Sequence, residues 1–162
     1  MLGYFDKPQE TSDTILPSGW LRSGDLGCLN PDGSLTFFSR IKDSYKHKGF
    51  NVSTPEVEGS IRKIAGIKDV AVVGVPDPDH GECGVAFVVA EDDQSVSEET
   101  ILENLVGNIS SFKVPEAVII ISELPRTAGT GKVQSGELKK IAIEHLQTRV
   151  KQSPSQKEAG RK

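Results

Sequence analysis

VAVVGVPDPD, residues 70–79, is the stretch that decides the fold of this chain. A short apolar run that ends at alternating proline and aspartate predicts a buried β-strand over residues 70–75, followed by a turn. Two further apolar runs, VAFVVA at residues 85–90 and AVIII at residues 117–121, predict a second and a third strand. The three runs together predict one small sheet.

Three helix starts are predicted around these strands, at Thr54, Ser97 and Ser135. The first helix has Pro55 at its first helical position, and the apolar residues that follow recur at helical spacing until Gly66. The second carries two glutamates in its first turn, which is favourable at the positive end of a helix. Residues 42–147 are therefore predicted to form an α+β domain with a three-stranded sheet and about three helices.

A β-hairpin is predicted ahead of this domain. The turn signature Asn30-Pro31-Asp32-Gly33 separates two strand-like runs, residues 20–29 and 34–38. An isolated hairpin is only marginally stable, so it is expected to belong to a larger sheet. Residues 1–41 are accordingly predicted to be the C-terminal edge of a larger domain.

A basic stretch joins the two predicted parts. Residues 40–48 contain Arg40, Lys42, Lys46, His47 and Lys48 against a single acidic residue. Gly49 and then the residues FNV at 50–52 follow. The pattern predicts a second small hairpin with its tip near Gly49, called the ribbon below. At the other end of the chain, residues 148–162 are polar without hydrophobic periodicity and are predicted to be a disordered tail.

The bulk composition excludes several classes of protein. A net charge of −4 over 162 residues argues against broad nucleic-acid binding. No apolar run is long enough to span a bilayer, and the two cysteines match neither a metal site nor a disulfide framework. The first residues carry no secretory signal. These features favour an intracellular, cytoplasmic protein without a bound metal, and a mitochondrial location stays open because the sequence need not include the true N-terminus.

The loop LPRTAGTGK, residues 124–132, carries the clearest chemical signal. Glycines and threonines around Lys132 suit a mobile loop that offers backbone N–H groups, hydroxyls and a positive charge to phosphate oxygens. It is not a Walker P-loop, which requires Ser or Thr directly after the lysine, where this chain has Val133. Taken alone, the loop fits a flexible surface segment with a solvated lysine better than a binding site.

Further motifs precede this loop along the chain. They are WLRSGDLG at residues 20–27, SRIKD at residues 39–43, KGFNVSTPEVE at residues 48–58, VGVPDP at residues 73–78 and FKVP at residues 112–115. The ordered set resembles the C-terminal motifs of the adenylate-forming superfamily: acyl-CoA synthetases, luciferases and peptide-synthetase adenylation domains. The resemblance covers about residues 3–146. The pairing of GFNV with STPEVE resembles the CoA ligases and luciferases more closely than the peptide synthetases.

The resemblance implies a role for each matching position. Asp25 and Arg40 match residues that contact the ribose of the nucleotide. Lys42 matches the hinge at the boundary between the large domain and the C-terminal domain, which acts as its lid. Lys132 matches the lysine that bridges the carboxylate substrate and the α-phosphate. Gly49 matches a loop that lines the pantetheine tunnel. A turn-capping role for Asp25 and a surface ion pair for Arg40 are the structural alternatives.

The resemblance also implies the substrates and the partner. The parent reaction would convert a carboxylate and ATP, with Mg²⁺, to acyl-AMP, and would then transfer the acyl group to CoA. Lys46 and Lys48, beside Gly49, are candidates to contact CoA phosphates, although a solvated charge run explains them at least as well. The expected partner is the large N-terminal AMP-binding domain, in the same polypeptide or a separate chain. Nothing is expected to be bound to the isolated chain.

Two departures from the family pattern bear on Lys132. The segment from Pro125 to Lys132 is one residue longer than the usual Pro-x-Thr-x-Thr/Ser-Gly-Lys, the extra residue being Ala128 or Gly129. Added slack is expected to threaten the placement of Lys132, because errors of ~1 Å are costly in catalysis. Ser135 and Gly136 also stand where many relatives have two basic residues.

Three interpretations follow for the chain itself. The first is the lid portion of an acid–thiol ligase, inactive as an isolated chain. The second is a non-catalytic module that binds a separate N-terminal chain, and the third is a degenerate relative that keeps only the fold. The retained motif residues favour the first for ancestry, whereas the absence of the large domain's own motifs favours the other two for the isolated chain.

Overall fold

The computed structural model describes residues 1–91 and 96–152, with side chains to residue 149. It is α+β, as predicted, and divides into two compact units, Met1–Asp43 and a second that begins at Ser44. The helices are α1 Pro8–Thr14, α2 Thr54–Ile61, α3 Glu98–Leu105 and α4 Ser135–Gln152. The strands are β1 Asp25–Leu29, β2 Leu35–Arg40, β3 Ser44–His47, β4 Phe50–Ser53, β5 Ile67–Asp77, β6 Gly81–Ala90 and β7 Ala117–Ile120.

The first unit contains α1 and the predicted hairpin, in which β1 and β2 pair antiparallel. The turn is closed where the Gly33 N–H donates to the Asn30 carbonyl at 3.0 Å. The first strand is shorter than predicted, because Gly24 adopts a positive φ of 74° and ends the extended backbone there. Large apolar side chains of this hairpin are exposed, among them Phe37 and Phe38.

The second unit is built on a five-stranded sheet with the order β4-β3-β6-β5, in which β7 also pairs with β6. Strands β5 and β6 form a long antiparallel ladder, and β7 lies parallel to β6. The sequence predicted three strands because the ribbon was placed ahead of the sheet. In the structure the ribbon β3–β4 joins the sheet, because His47 pairs with Gly81 at the start of β6.

Helices cover both faces of this sheet. Alternate residues of β5 and β6 point to opposite faces, so both strands are almost continuously apolar. One face packs on α2 and α3 through Ile61, Ile101 and Leu105. The other face packs on α4 through Leu138 and Ala142. This two-sided core fixes the positions of the loops at the ends of the strands.

The predicted helix starts are largely correct, and the predicted ends are less so. The Ser97 side chain accepts a hydrogen bond from the Thr100 N–H at 3.2 Å, as expected for an N-cap. Helix α2 ends at Ile61 instead of continuing to Gly66, which adopts a positive φ of 83°. Ser135 is the first residue of α4 instead of its cap. That helix continues through Gln152, so the predicted disorder from residue 148 is wrong up to that point, and residues 153–162 lie outside the described part.

Among the described residues, no helix is long and apolar enough to cross a membrane.

Candidate functional site

Asp25 and Arg40, the two predicted nucleotide contacts, lie directly opposite each other in the first unit. They are register partners in the β1–β2 hairpin. The Arg40 Nε lies 3.4 Å from Asp25 Oδ1, and the two side chains are 55% and 35% exposed, respectively. An exposed pair of this kind contributes little to stability, so its carboxylate and guanidinium stay available to a ligand. A β-bulge beside this pair, between Leu26 and Gly27, re-aims the strand there.

Lys42, the predicted hinge, lies in a single turn of 3₁₀ helix, Ile41–Asp43. The two compact units separate immediately after this turn, between Asp43 and Ser44. One-turn 3₁₀ segments are frequent connectors between larger elements. The position therefore agrees with a boundary, and its role as a hinge stays a prediction.

Lys132 lies at the base of a closed loop, not in an open coil. The Thr127 N–H and hydroxyl both donate to the Lys132 carbonyl, at 2.8 and 2.9 Å. The Gly131 N–H donates back to the Thr127 carbonyl at 3.0 Å. Below this closure, Arg126 and Val133 form an isolated antiparallel bridge. The backbone of Lys132 is thus held on both sides while its side chain is exposed.

The additional residue of this loop lies in the closed tip. Both candidates, Ala128 and Gly129, fall between the hydrogen-bonded Thr127 and Lys132. Gly129 and Gly131 adopt positive φ values of 88° and 65°, which glycine permits without strain. A longer tip therefore does not require slack in the backbone of Lys132.

Gly49 lies at the tip of the ribbon. Lys48 and Gly49 have φ values of 49° and 86° and form the two central residues of a tight hairpin turn. A Cβ added to Gly49 would meet no heavy atom within 4 Å. Glycine is thus favoured here by its backbone conformation, and open space lies next to it.

The ribbon is fastened to the turn between β5 and β6. The Lys48 N–H donates to the His80 carbonyl at 3.0 Å, and the Lys46 N–H donates to Glu82 Oε2 at 2.7 Å. His80 also pairs with Asp77, whose Oδ1 lies 3.1 Å from Nδ1. Burial alone raises the pKa of Asp77, but hydrogen bonds from the His80 and Asp79 N–H groups and the nearby His80 ring outweigh it and lower the pKa. These contacts fix where the ribbon presents its lysines.

The two candidate loops of this unit lie at opposite ends of the β5–β6 ladder. The Lys132 loop is tied to Asp69, because Arg126 Nη2 lies 2.5 Å from Asp69 Oδ2. The ribbon tip is tied to the other end, where Asp77 pairs with Gly81. At about 3.3 Å per residue, Asp69 and Asp77 are roughly 25 Å apart along the strand. Both loops therefore cannot reach a single small site at the same time in one orientation.

Sequence reasoning missed the packing of Tyr45, which supports the ribbon. Its side chain is buried against the glycine pair Gly74 and Gly84, which face each other across β5 and β6. Burial raises the pKa of the Tyr45 hydroxyl, and the nearby Cys83 and Glu82 raise it further. The sequence signal was a glycine inside each of two apolar strands, because such a glycine often marks a place where another part of the chain approaches closely.

In the part of the chain that the structure describes, no group of three or more His, Cys, Asp and Glu residues is placed to hold a metal ion.

Comparison with known proteins identifies the family. The family described as AMP-binding enzyme C-terminal domain matches residues 56–132. A CoA ligase of Rhodococcus jostii, named for a methyl-dioxo-octahydro-indenyl propanoyl group, is 40% identical over 139 residues, which are 86% of this chain and 27% of that protein. The chain thus belongs to the adenylate-forming superfamily as a C-terminal domain, with acyl-CoA ligases among its relatives.

Solved structures agree with this assignment. ATP-bound MatB from Rhodopseudomonas palustris is 34% identical with a TM-score of 0.77, over 88% of this chain and 28% of that one. The o-succinylbenzoate CoA synthetase of Bacillus subtilis, in complex with its acyl-adenylate intermediate, is 26% identical with a TM-score of 0.74, over 85% of this chain and 28% of that one. The chain spans little more than a quarter of the length of these relatives.

Proposed function

We propose that this chain is the lid portion of an ATP-dependent acid–thiol ligase. The parent enzyme would form acyl-AMP from a carboxylate and ATP with Mg²⁺, and would then transfer the acyl group to CoA. The chain would act with a large AMP-binding domain, which the family resemblance implies and for which the unmatched length of its relatives leaves room. Support comes from relatives named as CoA ligases and from a structural neighbour that holds an acyl-adenylate.

The observation that carries this proposal is the placement of the two loops at opposite ends of one sheet. Lys132 is presented at the Asp69 end, and the Lys48-Gly49 turn is presented at the Asp77 end. A two-step enzyme with one active site can use both loops if the unit turns between steps, with the change absorbed at a boundary such as Lys42. Each loop would then serve a different half-reaction.

Charge and geometry give each loop a role in this proposal. Lys132 would offset the negative charge that develops on the phosphate as pyrophosphate leaves, because a fixed cation is most effective where charge builds up in the transition state. Asp25 would accept hydrogen bonds from ribose hydroxyls, and Arg40 opposite it would donate to the same nucleotide. Gly49 would let the thin pantetheine chain pass close to the backbone, with open space beside it.

A second interpretation, a module that binds a separate chain, is favoured by the exposed apolar surface of the first unit. Trp20 is 74% exposed, and Phe37 and Phe38 are 60% and 62% exposed. Several large apolar side chains left exposed in one small unit favour an interaction surface. The same surface serves either interpretation, because the large domain can be supplied in the same polypeptide or in another.

The purified 162-residue chain should make no acyl-AMP from any carboxylate with ATP and Mg²⁺. Pyrophosphate release should appear only when a large AMP-binding domain is supplied, joined or separate. Release above background by the chain alone, across a panel of acids, would show that it is catalytic by itself. Binding to a large domain without any release in the mixture would favour the non-catalytic module.

A further inference from the structure

Arg126 joins the Lys132 loop to the sheet with one planar group. Its Nη2 lies 2.5 Å from Asp69 Oδ2, and its Nη1 donates to the Gly131 carbonyl at 2.6 Å. Asp69 is far from the loop in sequence, at the start of the β5–β6 ladder. The rigid fork of a guanidinium can hold two acceptors in a fixed relation, which a lysine ammonium on a flexible stem does less well.

Asp69 is itself held in place. Its Oδ1 accepts a hydrogen bond from the Val70 N–H at 2.9 Å and lies 3.6 Å from Arg62 Nη2. The register of β5 against β6 shifts between Ile67 and Asp69. Such an irregularity re-aims a side chain at the edge of a sheet. The carboxylate is therefore a fixed point to which the loop is fastened.

The loop needs such a fastening because its own residues are permissive. The tip carries Gly129 and Gly131, both at positive φ. Glycine populates many backbone conformations, so the tip gains little order from its own sequence. Arg126 adds a hydrogen bond to Gly131, directly before Lys132, and the Arg126 carbonyl accepts a further one from Gln134 Nε2 at 3.0 Å.

We propose that Arg126 and Asp69 are positioning residues for Lys132. They form a clamp, Asp69–Arg126–Gly131, that transfers the fixed geometry of the sheet to the loop and keeps the longer tip from displacing the lysine. The proposal rests on the proposed function of Lys132 in adenylation. Neither residue of the clamp is assigned a contact with substrate.

The clamp is tested first in the full 162-residue chain by amide hydrogen exchange. Arg126→Gln and Asp69→Asn should each speed exchange of the Thr127 and Gly131 amides by roughly three- to tenfold, which is the loss of about one hydrogen bond. Amides of the β5–β6 ladder should keep their protection. Arg149→Gln is the matched control, because it removes a surface arginine that pairs with a carboxylate elsewhere in the unit, Glu98, at 2.8 Å. Unchanged loop exchange in both variants would overturn the clamp.

The positioning role is tested in a ligase in which this chain is joined to a large AMP-binding domain. Arg126→Gln should slow acyl-AMP formation on the order of tenfold or more and spare acyl transfer from supplied acyl-AMP to CoA. Arg126→Lys should restore part of the loss, because it keeps the charge beside Asp69 but not the two-acceptor fork. A merely structural role would slow both half-reactions alike.

Lys132→Ala separates the failure of the clamp from the failure of the proposed function. If Lys132→Ala slows adenylation and Arg126→Gln does not, the positioning role is wrong while the role of Lys132 stands. If Lys132→Ala leaves adenylation unchanged, the proposed role of Lys132 is wrong and the clamp serves no catalytic purpose. The exchange experiment then still decides whether the clamp exists.

Discussion

The side chain of Tyr45 lies so close to Gly84 that a Cβ at that glycine would overlap the phenol hydroxyl and ring. Tyr45 belongs to the ribbon and is 3% exposed, and Gly84 lies within β6. The ring thereby fastens the ribbon, with its tip at Gly49, to the face of the central ladder. The position of the ribbon depends on the absence of a side chain at Gly84.

Gly84→Ala should destabilise the chain by about 1–3 kcal/mol, the usual cost of forcing extra volume into a packed core. The matched control is Gly59→Ala in α2, where an added Cβ meets nothing within 4 Å and alanine favours the helix. Urea unfolding of the two variants gives the comparison. A Gly84→Ala chain as stable as the Gly59→Ala chain would show that Tyr45 can move aside, contrary to this account.

The stability of the second unit should fall as the pH rises from about 9 to about 11. Burial raises the pKa of the Cys83 thiol from its ordinary value of 9.0 to about 11, and nearby acidic groups add to this. The unfolded chain then ionises before the folded one, so the folded state loses stability over this range. A pKa shift of this size corresponds to a loss of roughly 1–3 kcal/mol in the free energy of unfolding.

Cys83→Ala should flatten this part of the stability profile, and Cys28→Ala, which removes an exposed thiol, is the control. The variants are compared by the slope of the free energy of unfolding against pH and not by its absolute value, because Cys83→Ala also removes buried volume. Tyr45→Phe should flatten the profile further at the alkaline end, because burial raises the pKa of that hydroxyl as well. Equal slopes in wild type and Cys83→Ala between pH 9 and 11 would contradict the assigned cause.

Local patterns in the sequence predicted the elements, and distant contacts decided how they meet. The runs at residues 70–75 and 85–90 predicted their strands correctly because an apolar strand is a local signal. The pairing of β3 with β6 and the contact between Asp69 and Arg126 join residues far apart in sequence, for which no local pattern exists. A single sequence shows the motif around Lys132 but not the hydrogen bonds that close its loop.

The lysines of the ribbon should contribute to CoA affinity in a ligase assembled with a large domain. Lys46→Gln and Lys48→Asn together should raise the KM for CoA several-fold with little change in adenylation, because phosphates attract fixed positive charge. Asparagine is chosen at Lys48 because that residue has φ 49°, a conformation that asparagine tolerates. The control is Lys63→Gln, an exposed lysine in the turn after α2. An unchanged KM in the double variant would leave the ribbon charges as solvated surface groups.

The two half-reactions should respond to different residues, because Lys132 and the Gly49 turn lie at opposite ends of the β5–β6 ladder. In the same assembled ligase, Lys132→Ala should slow acyl-AMP formation by on the order of 100-fold or more, the usual effect of removing one electrostatic stabiliser. It should spare transfer from supplied acyl-AMP to CoA, since we propose that the other loop serves that step.

Lys42→Pro should have the opposite effect, because a proline fixes φ at the boundary between the two units and restricts the residue before it. Adenylation should continue, because the second unit can still adopt the orientation that this step needs. The rate of thioester formation should fall, because that step needs the unit to turn. Lys42→Ala removes the same side chain without fixing φ and should leave both steps near wild type. Single-turnover assays measure the rates of acyl-AMP formation and of acyl transfer to CoA separately for each variant. If Lys132→Ala slows both steps equally, the lysine stabilises the fold or a shared step instead of the adenylation transition state. If Lys42→Ala slows thioester formation as much as Lys42→Pro, the side chain, and not backbone rotation, matters at this position; if neither variant slows it, Lys42 is not the hinge.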